Sequence, residues 1–174
     1  MIAHSKTMDW ADRLPTVRGR YAVDVDLSRT TWFRAGGRAD VVFRPADIDD
    51  LVQFLASRPA DVPVTVVGLG SNLLVRDGGV EGVVVRLRQG FRDVSVRWEG
   101  ERALVEVGAG ALDMNVARTC RDRGVDGLAF LSGIPGTIGG ALRMNAGAYG
   151  YEIGDVLVEA RALDGNGALH VVAQ

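Results

Sequence analysis

Between Leu131 and Glu152 the chain reads LSGIPGTIGGALRMNAGAYGYE. Gly133, Gly136, Gly139, Gly140, Gly147 and Gly150 are set there among small and apolar residues, with Pro135 as a rigid turn former. The polar residues between the glycines are Thr137, Asn145 and Tyr149. Glycine opens positive φ to the backbone and lets other groups approach its N–H closely. Two readings follow: tight turns joining core elements, or backbone wrapped around a phosphate or a flat ring.

The remaining composition narrows the class. A chain of 174 residues makes one ordinary domain or two small subdomains. With 47% hydrophobic and 24% charged residues it is globular rather than disordered. A formal net charge of −2 gives no pull towards nucleic acid or an anionic membrane. Cys120 is the only cysteine, which excludes an internal disulfide and fits a small buried hydrophobe on a helix. No signal-peptide core and no apolar run of about 20 residues is present, so the expected location is cytoplasmic, without membrane contact. His4 and His170 are far apart and lack ligand-spaced partners, so no metal site is expected.

Taken in order, Met8–Leu14 reads as a short helix stopped by Pro15. Tyr21–Leu27 alternates weakly, and Ala39–Phe43 reads as a strand ended by Pro45. Ile48, Leu51, Val52 and Leu55 place one apolar face on a helix over Ile48–Ser57, with Asp47, Asp49 and Asp50 at its positive end. Pro63–Val67 and Val83–Leu87 read as buried strands. The next block opens with a hairpin, Val94–Trp98 and Ala103–Val107, turning at Glu99-Gly100-Glu101. A helix over Leu112–Arg123 stops at Gly124. Two last strands, Val156–Leu163 and Leu169–Val172, are joined by Asp164-Gly165-Asn166-Gly167. The expected organisation is an arm over 1–20, a β-α-β-β block over 21–88, and a second block over 89–174 that looks cut at Gln174.

Two glycine-bearing segments, Val66–Val75 and Ser132–Ala141, are the candidates for chemistry. A dinucleotide fingerprint fails in the first, because its third glycine position is Leu73 and no helix pattern follows. A Walker loop fails in both, since neither holds G-K-[ST]. What remains is a turn whose N–H groups, with Ser71 and Asn72, could hold a pyrophosphate, or an ordinary turn. One such segment per block suggests a ligand gripped from both sides, of the shape of a dinucleotide cofactor.

Three segments, TTWFRAGGRAD, VVGLGSNLLVRDGG and SGIPGTIGGALRMNAGAYGYE, carry a resemblance that spans residues 30–152. In order and spacing they resemble the UDP-N-acetylenolpyruvoylglucosamine reductases (UDP-N-acetylmuramate dehydrogenases). The resemblance implies an α+β fold, an FAD-binding domain of the p-cresol methylhydroxylase/vanillyl-alcohol oxidase type, with two α/β subdomains and the flavin between them. It implies noncovalent FAD held by Val67, Gly68, Leu69, Gly70, Ser71, Asn72 and Leu73 on one side. On the other side stand Gly110, Ser132, Gly133, Ile134, Pro135, Gly136, Thr137, Gly139 and Gly140, with Asn145, Gly147, Ala148 and Tyr149 close by. Neither His4 nor His170 lies in a loop, which fits a noncovalent cofactor. NADPH would supply hydride, and UDP-N-acetylglucosamine enolpyruvate would receive it in peptidoglycan synthesis. The family's catalytic arginine, serine and glutamate have no match here, so this chain is expected to bind the cofactor without completing the reaction. Arg143 does not match the catalytic arginine and reads as solvated or at the flavin edge. Another flavin oxidoreductase of the same superfamily, or a non-enzymatic nucleotide-binding module, are the alternatives.

Overall fold

The computed structural model describes residues 6–173; His4 and Gln174 lie outside the described residues. The chain forms two compact units. Of the described residues, one unit holds those up to Leu87 together with Ala162–His170, the other Arg88–Arg161 together with 171–173.

In the first unit a short helix, α1 (Lys6–Arg13), precedes strand β1 (Arg20–Asp26). Strand β2 (Arg38–Arg44), helix α2 (Ile48–Ser57) and strands β3 (Val64–Val66) and β4 (Val80–Val85) follow. The sheet order is β1-β2-β4-β3, with β1 antiparallel to β2 and the other neighbours parallel. Helix α2 has the expected bounds. Asp47 caps its start by accepting from the Asp50 N–H at 3.0 Å, and the Arg58 N–H closes its end on Phe54 O at 2.9 Å just before Pro59.

The buried face of α2 is rotated from the expected one. Asp50, Leu51 and Phe54 are buried, whereas Ile48 is exposed and Val52 and Leu55 are half-buried. The cause is Asp50. Its carboxylate accepts from the N–H groups of Arg18 (2.7 Å), Gly19 (2.9 Å) and Ala46 (3.0 Å). Burial alone would raise its pKa, but these backbone donors outweigh it and the carboxylate stays below its ordinary range. Phe54 then packs at a tilt against Phe43 with centroids 4.6 Å apart, and the Tyr21 ring lies 5.1 Å from that of Phe43. Burying a ring of this size contributes about 2–3 kcal/mol. Leu27, Ala39, Val42, Val67, Val75 and Val84 form a second cluster.

In the second unit β5 (Val94–Glu99) and β6 (Arg102–Val107) make the expected hairpin, with Gly100 at φ 65°. Helix α3 (Asp113–Asp122) ends at Gly124, φ 69°, where Val125 N–H reaches Cys120 O (2.9 Å) and Gly124 N–H reaches Arg121 O (3.1 Å). That is a Schellman stop. Cys120 is buried, as its placement on a helix face implied. Next come a 3₁₀ turn over Ala129–Gly133, helix α4 (Ile138–Met144), and the short pair β7 (Gly147–Ala148) and β8 (Tyr151–Glu152). Ala111, Val116, Cys120, Phe130, Leu131, Ile138, Ala141 and Ile153 belong to the core of this unit.

Strands β9 (Glu159–Leu163) and β10 (Leu169–Ala173) form the last hairpin. The first of them is shorter than expected. A 3₁₀ turn over Ile153–Asp155, closed by a capping box of Glu152 and Asp155, draws the N–H groups of Val156 and Leu157 onto Ile153 O. The hairpin tip groups with the first unit because Arg58 Nη2 donates to Gly165 O at 3.0 Å and Gly167 fits against Val52 of α2.

Candidate functional site

Parallel neighbours such as β3 and β4 need a crossover, usually a helix. Here the crossover is the irregular loop Val67–Gly79, which leaves β3 at its carboxyl end. Ligands of open parallel sheets bind at that end. The expected binding residues Val67 to Leu73 form the first part of this loop. Val67 is tied to the sheet through its N–H to Val85 O, 3.0 Å. Gly68 O accepts from Arg86 Nη2 at 3.2 Å, and Gly70 O accepts from the Trp32 N–H at 3.0 Å. Gly70 has φ 76°, and a Cβ there would stand 2.7 Å from Thr30 O. Only glycine meets both demands.

In a trans peptide the N–H of one residue points opposite to the carbonyl before it. With the Gly68 and Gly70 carbonyls held inward, the amides of Leu69 and Ser71 point away from Arg86 and from the Thr30–Trp32 segment. No N–H from Gly68 to Asn72 donates a hydrogen bond among the described residues. Ser71 is half-buried, while Leu69 and Asn72 are exposed. Successive free amides on one side of a turn form an anion-binding concavity. This turn fits a diphosphate.

The second glycine-rich stretch is built the other way round. Of its glycines named above, only Gly150 has positive φ. Its amides are used: Ile134 N–H goes to Leu131 O (3.2 Å), Gly136 N–H to Ile134 O (3.0 Å), Ile138 N–H to Ala111 O (3.0 Å) and Gly139 N–H to Ala109 O (2.8 Å). Thr137, buried, precedes α4, so Ser132–Ala141 is a 3₁₀ end, a turn and a helix start rather than an open loop. Pro135 and Gly140 are exposed. Ser132 Oγ donates to Ala129 O at 2.7 Å. Here the glycines serve close approach. A Cβ on Gly139 would lie 3.1 Å from Ala109, and one on Gly133 would lie 2.7 Å from the Tyr149 ring. The structure thus brings Gly133 together with Ala148 and Tyr149, a residue 78% exposed.

Asn145 sits at φ 45° as the stop of α4, and its Oδ1 accepts from Gly154 N–H at 2.9 Å. Gly147 packs against Tyr151 and Glu152 within the β7–β8 pair. Gly110 is buried, with its N–H on Phe91 O at 2.8 Å. Arg143 is exposed in the last turn of α4. His170 lies on β10, its Nε2 3.1 Å from Asp164 Oδ2. The described residues hold no cluster of three or more His, Cys, Asp or Glu able to bind a metal, and no helix long and apolar enough to cross a membrane.

Two residues escaped the sequence reading. Arg86 is buried at the end of β4, beneath the Gly68 carbonyl. Its signal was a lone arginine closing the β-branched run VVVR beside a glycine loop. Asp113, the first residue of α3, is fully buried, and neither carboxyl oxygen has a hydrogen-bond partner among the described residues. Burial pushes its pKa up to about 6. Nothing in the sequence set it apart from the acidic residues that commonly begin helices.

Residues 39–173 match the family model described as an FAD binding domain. The chain belongs to that family. Within it, the chain is 56% identical over 172 residues to a UDP-N-acetylenolpyruvoylglucosamine reductase of Parvibaculum lavamentivorans, covering 99% of this chain and 54% of that protein. It is likewise 56% identical to a reductase of the same name from Paramagnetospirillum magneticum, covering 96% of this chain and 53% of the relative. A solved structure of the Thermus caldophilus UDP-N-acetylenolpyruvylglucosamine reductase superposes with a TM-score of 0.71 at 31% identity, over 91% of this chain and 53% of that one. The chain spans about half the length of these relatives. Arthrobacter nicotinovorans 6-hydroxy-D-nicotine oxidase shares the fold at a TM-score of 0.67 and 19% identity, over 91% of this chain and 36% of that one. The family's fold, the vanillyl-alcohol oxidase type expected from the three signature segments, is therefore present.

Proposed function

We propose that the chain is the FAD-binding part of a UDP-N-acetylenolpyruvoylglucosamine reductase, working in the cytoplasm with NADPH as hydride donor. The observation that carries this is the open turn at Gly68–Asn72, its amides without partners among the described residues, in a chain 56% identical over nearly its whole length to relatives that bear that name. Bound FAD would accept hydride from a nicotinamide and pass it to the enolpyruvyl double bond. The chain's own part is binding and orientation. The Leu69 and Ser71 amides would donate to the diphosphate, with the Ser71 hydroxyl and Asn72 amide as further donors. Gly70 keeps the turn close enough to Thr30–Trp32 to hold that shape. Tyr149, exposed against Gly133, offers an aromatic face to a flat ring. Gly110, Thr137, Gly139 and Gly140 support that second surface.

The test is an absorption spectrum of the purified chain near 370 and 450 nm, approximate flavin bands, before and after adding FAD. Bands that stay with the protein through gel filtration support the reading. A protein that remains colourless, with a melting temperature indifferent to FAD, sinks it. A real site adds about 2.7 kcal/mol at a hundredfold excess over Kd.

A further inference from the structure

Arg86 is a strongly basic group placed by the structure directly behind the Gly68–Asn72 turn. It is 6% exposed, its main-chain N–H is fixed to Phe43 O of β2 at 2.9 Å, and its Nη2 donates to Gly68 O at 3.2 Å. A guanidinium is always charged and presents its donors in a rigid fork, so a carbonyl that meets it is held in orientation. The carbonyl it holds is the one that decides where the next amide points. A turned peptide at 68–69 would aim an oxygen, not an N–H, at an incoming anion. The cost of that reversal is a lost donor plus a repulsive acceptor in the same place.

We propose that Arg86 is a positioning residue for the cofactor's diphosphate: by holding the Gly68 carbonyl inward it fixes the Leu69 amide as an outward donor. This rests on the FAD reading above. It assigns Arg86 no contact with the ligand, and it makes the effect specific to the phosphates rather than to the flavin ring.

Riboflavin shares the ring and lacks the diphosphate, so the two ligands separate this role from a general structural one. Dissociation constants for FAD and riboflavin would be measured by fluorescence quenching on the wild type, Arg86→Met and Arg86→Lys, with a thermal melt of each ligand-free protein. Expected for Arg86→Met is at least a tenfold loss of FAD affinity with riboflavin affinity within twofold of wild type. Arg86→Lys, which keeps the charge but not the fork, should lose about threefold for FAD alone. If Arg86→Met does not fold, the lysine variant carries the test. Equal losses for both ligands, or no loss for FAD in whichever variant folds, overturn the proposal. A wild type that binds neither ligand defeats the flavin reading itself, and this proposal with it.

Discussion

The two glycine-bearing stretches share a composition and differ in what their backbone amides do. At Gly68–Asn72 the carbonyls of Gly68 and Gly70 are tied inward, to Arg86 and to the Trp32 N–H, and the amides are left without partners among the described residues. At Ile134–Gly139 the amides are spent on Leu131, Ile134, Ala111 and Ala109. Glycine at Gly70 is required by positive φ and by the nearness of Thr30, whereas glycine at Gly139 eases the close approach of Ala109. One stretch is a turn with its amides facing outward and the other is a packed joint that presents side chains. Counting glycines does not distinguish them; following the amides does.

Substitutions should therefore fall into two kinds. The largest effect is expected at Gly70→Val, where a branched side chain meets both positive φ and Thr30 O. FAD affinity should fall by a hundredfold or more, as titration would reveal; near-wild-type binding would break the distinction drawn between the stretches. Gly139→Val should act on the fold instead, costing about 2–3 kcal/mol in a denaturant melt by forcing α4 off Ala109. Its FAD affinity, measured well below the melting temperature, should change much less than that of Gly70→Val.

Asp113→Asn sharpens the same contrast through pH. The buried carboxyl has a folded pKa near 6, above its ordinary 3.8, so the folded state binds the proton more tightly. Stability should fall as pH rises from about 4 through 6 and then level off, at a total cost of about 3 kcal/mol. Asparagine removes that slope, and the variant should be about 1–2 kcal/mol more stable than wild type at pH 8. Melts across pH 4–8 in which the two curves run parallel would refute this. The smallest effect is expected at Asn145→Ala, about 1 kcal/mol, because alanine fits poorly at φ 45° and loses the bond to Gly154. Asn145→Gly should recover part of it in the same melt.

Much of the fold was legible in the chain. Helix α2 was readable from its caps and periodicity, the β5–β6 hairpin from alternation around Glu99-Gly100-Glu101, and the end of α3 from Gly124. The orientation of α2 was not, because it depends on Asp50 meeting three amides, two of them from residues more than thirty positions earlier. Helix α4 was missed for a similar reason. Gly139 and Gly140 each disfavour a helix by about 1 kcal/mol, and what offsets this is a pair of carbonyls at Ala109 and Ala111 that no local pattern announces. At the turn after β3 the sequence pointed to Gly68–Asn72, since a glycine pair following a β-branched strand is a local feature. Arg86 and Trp32, which aim that turn, come from other strands and segments.

The unpaired amides of the turn also make a clock. An N–H without a protein acceptor gives up its hydrogen to solvent quickly, whereas one buried in a sheet waits for an opening event. In deuterium, Leu69 and Ser71 should exchange among the earliest positions of the first unit while Val67 and Val83 lag. A ligand seated on the turn should slow the first pair by orders of magnitude and leave the second pair nearly where they were. Occupancy could then be read residue by residue, with no need for the ligand to be coloured.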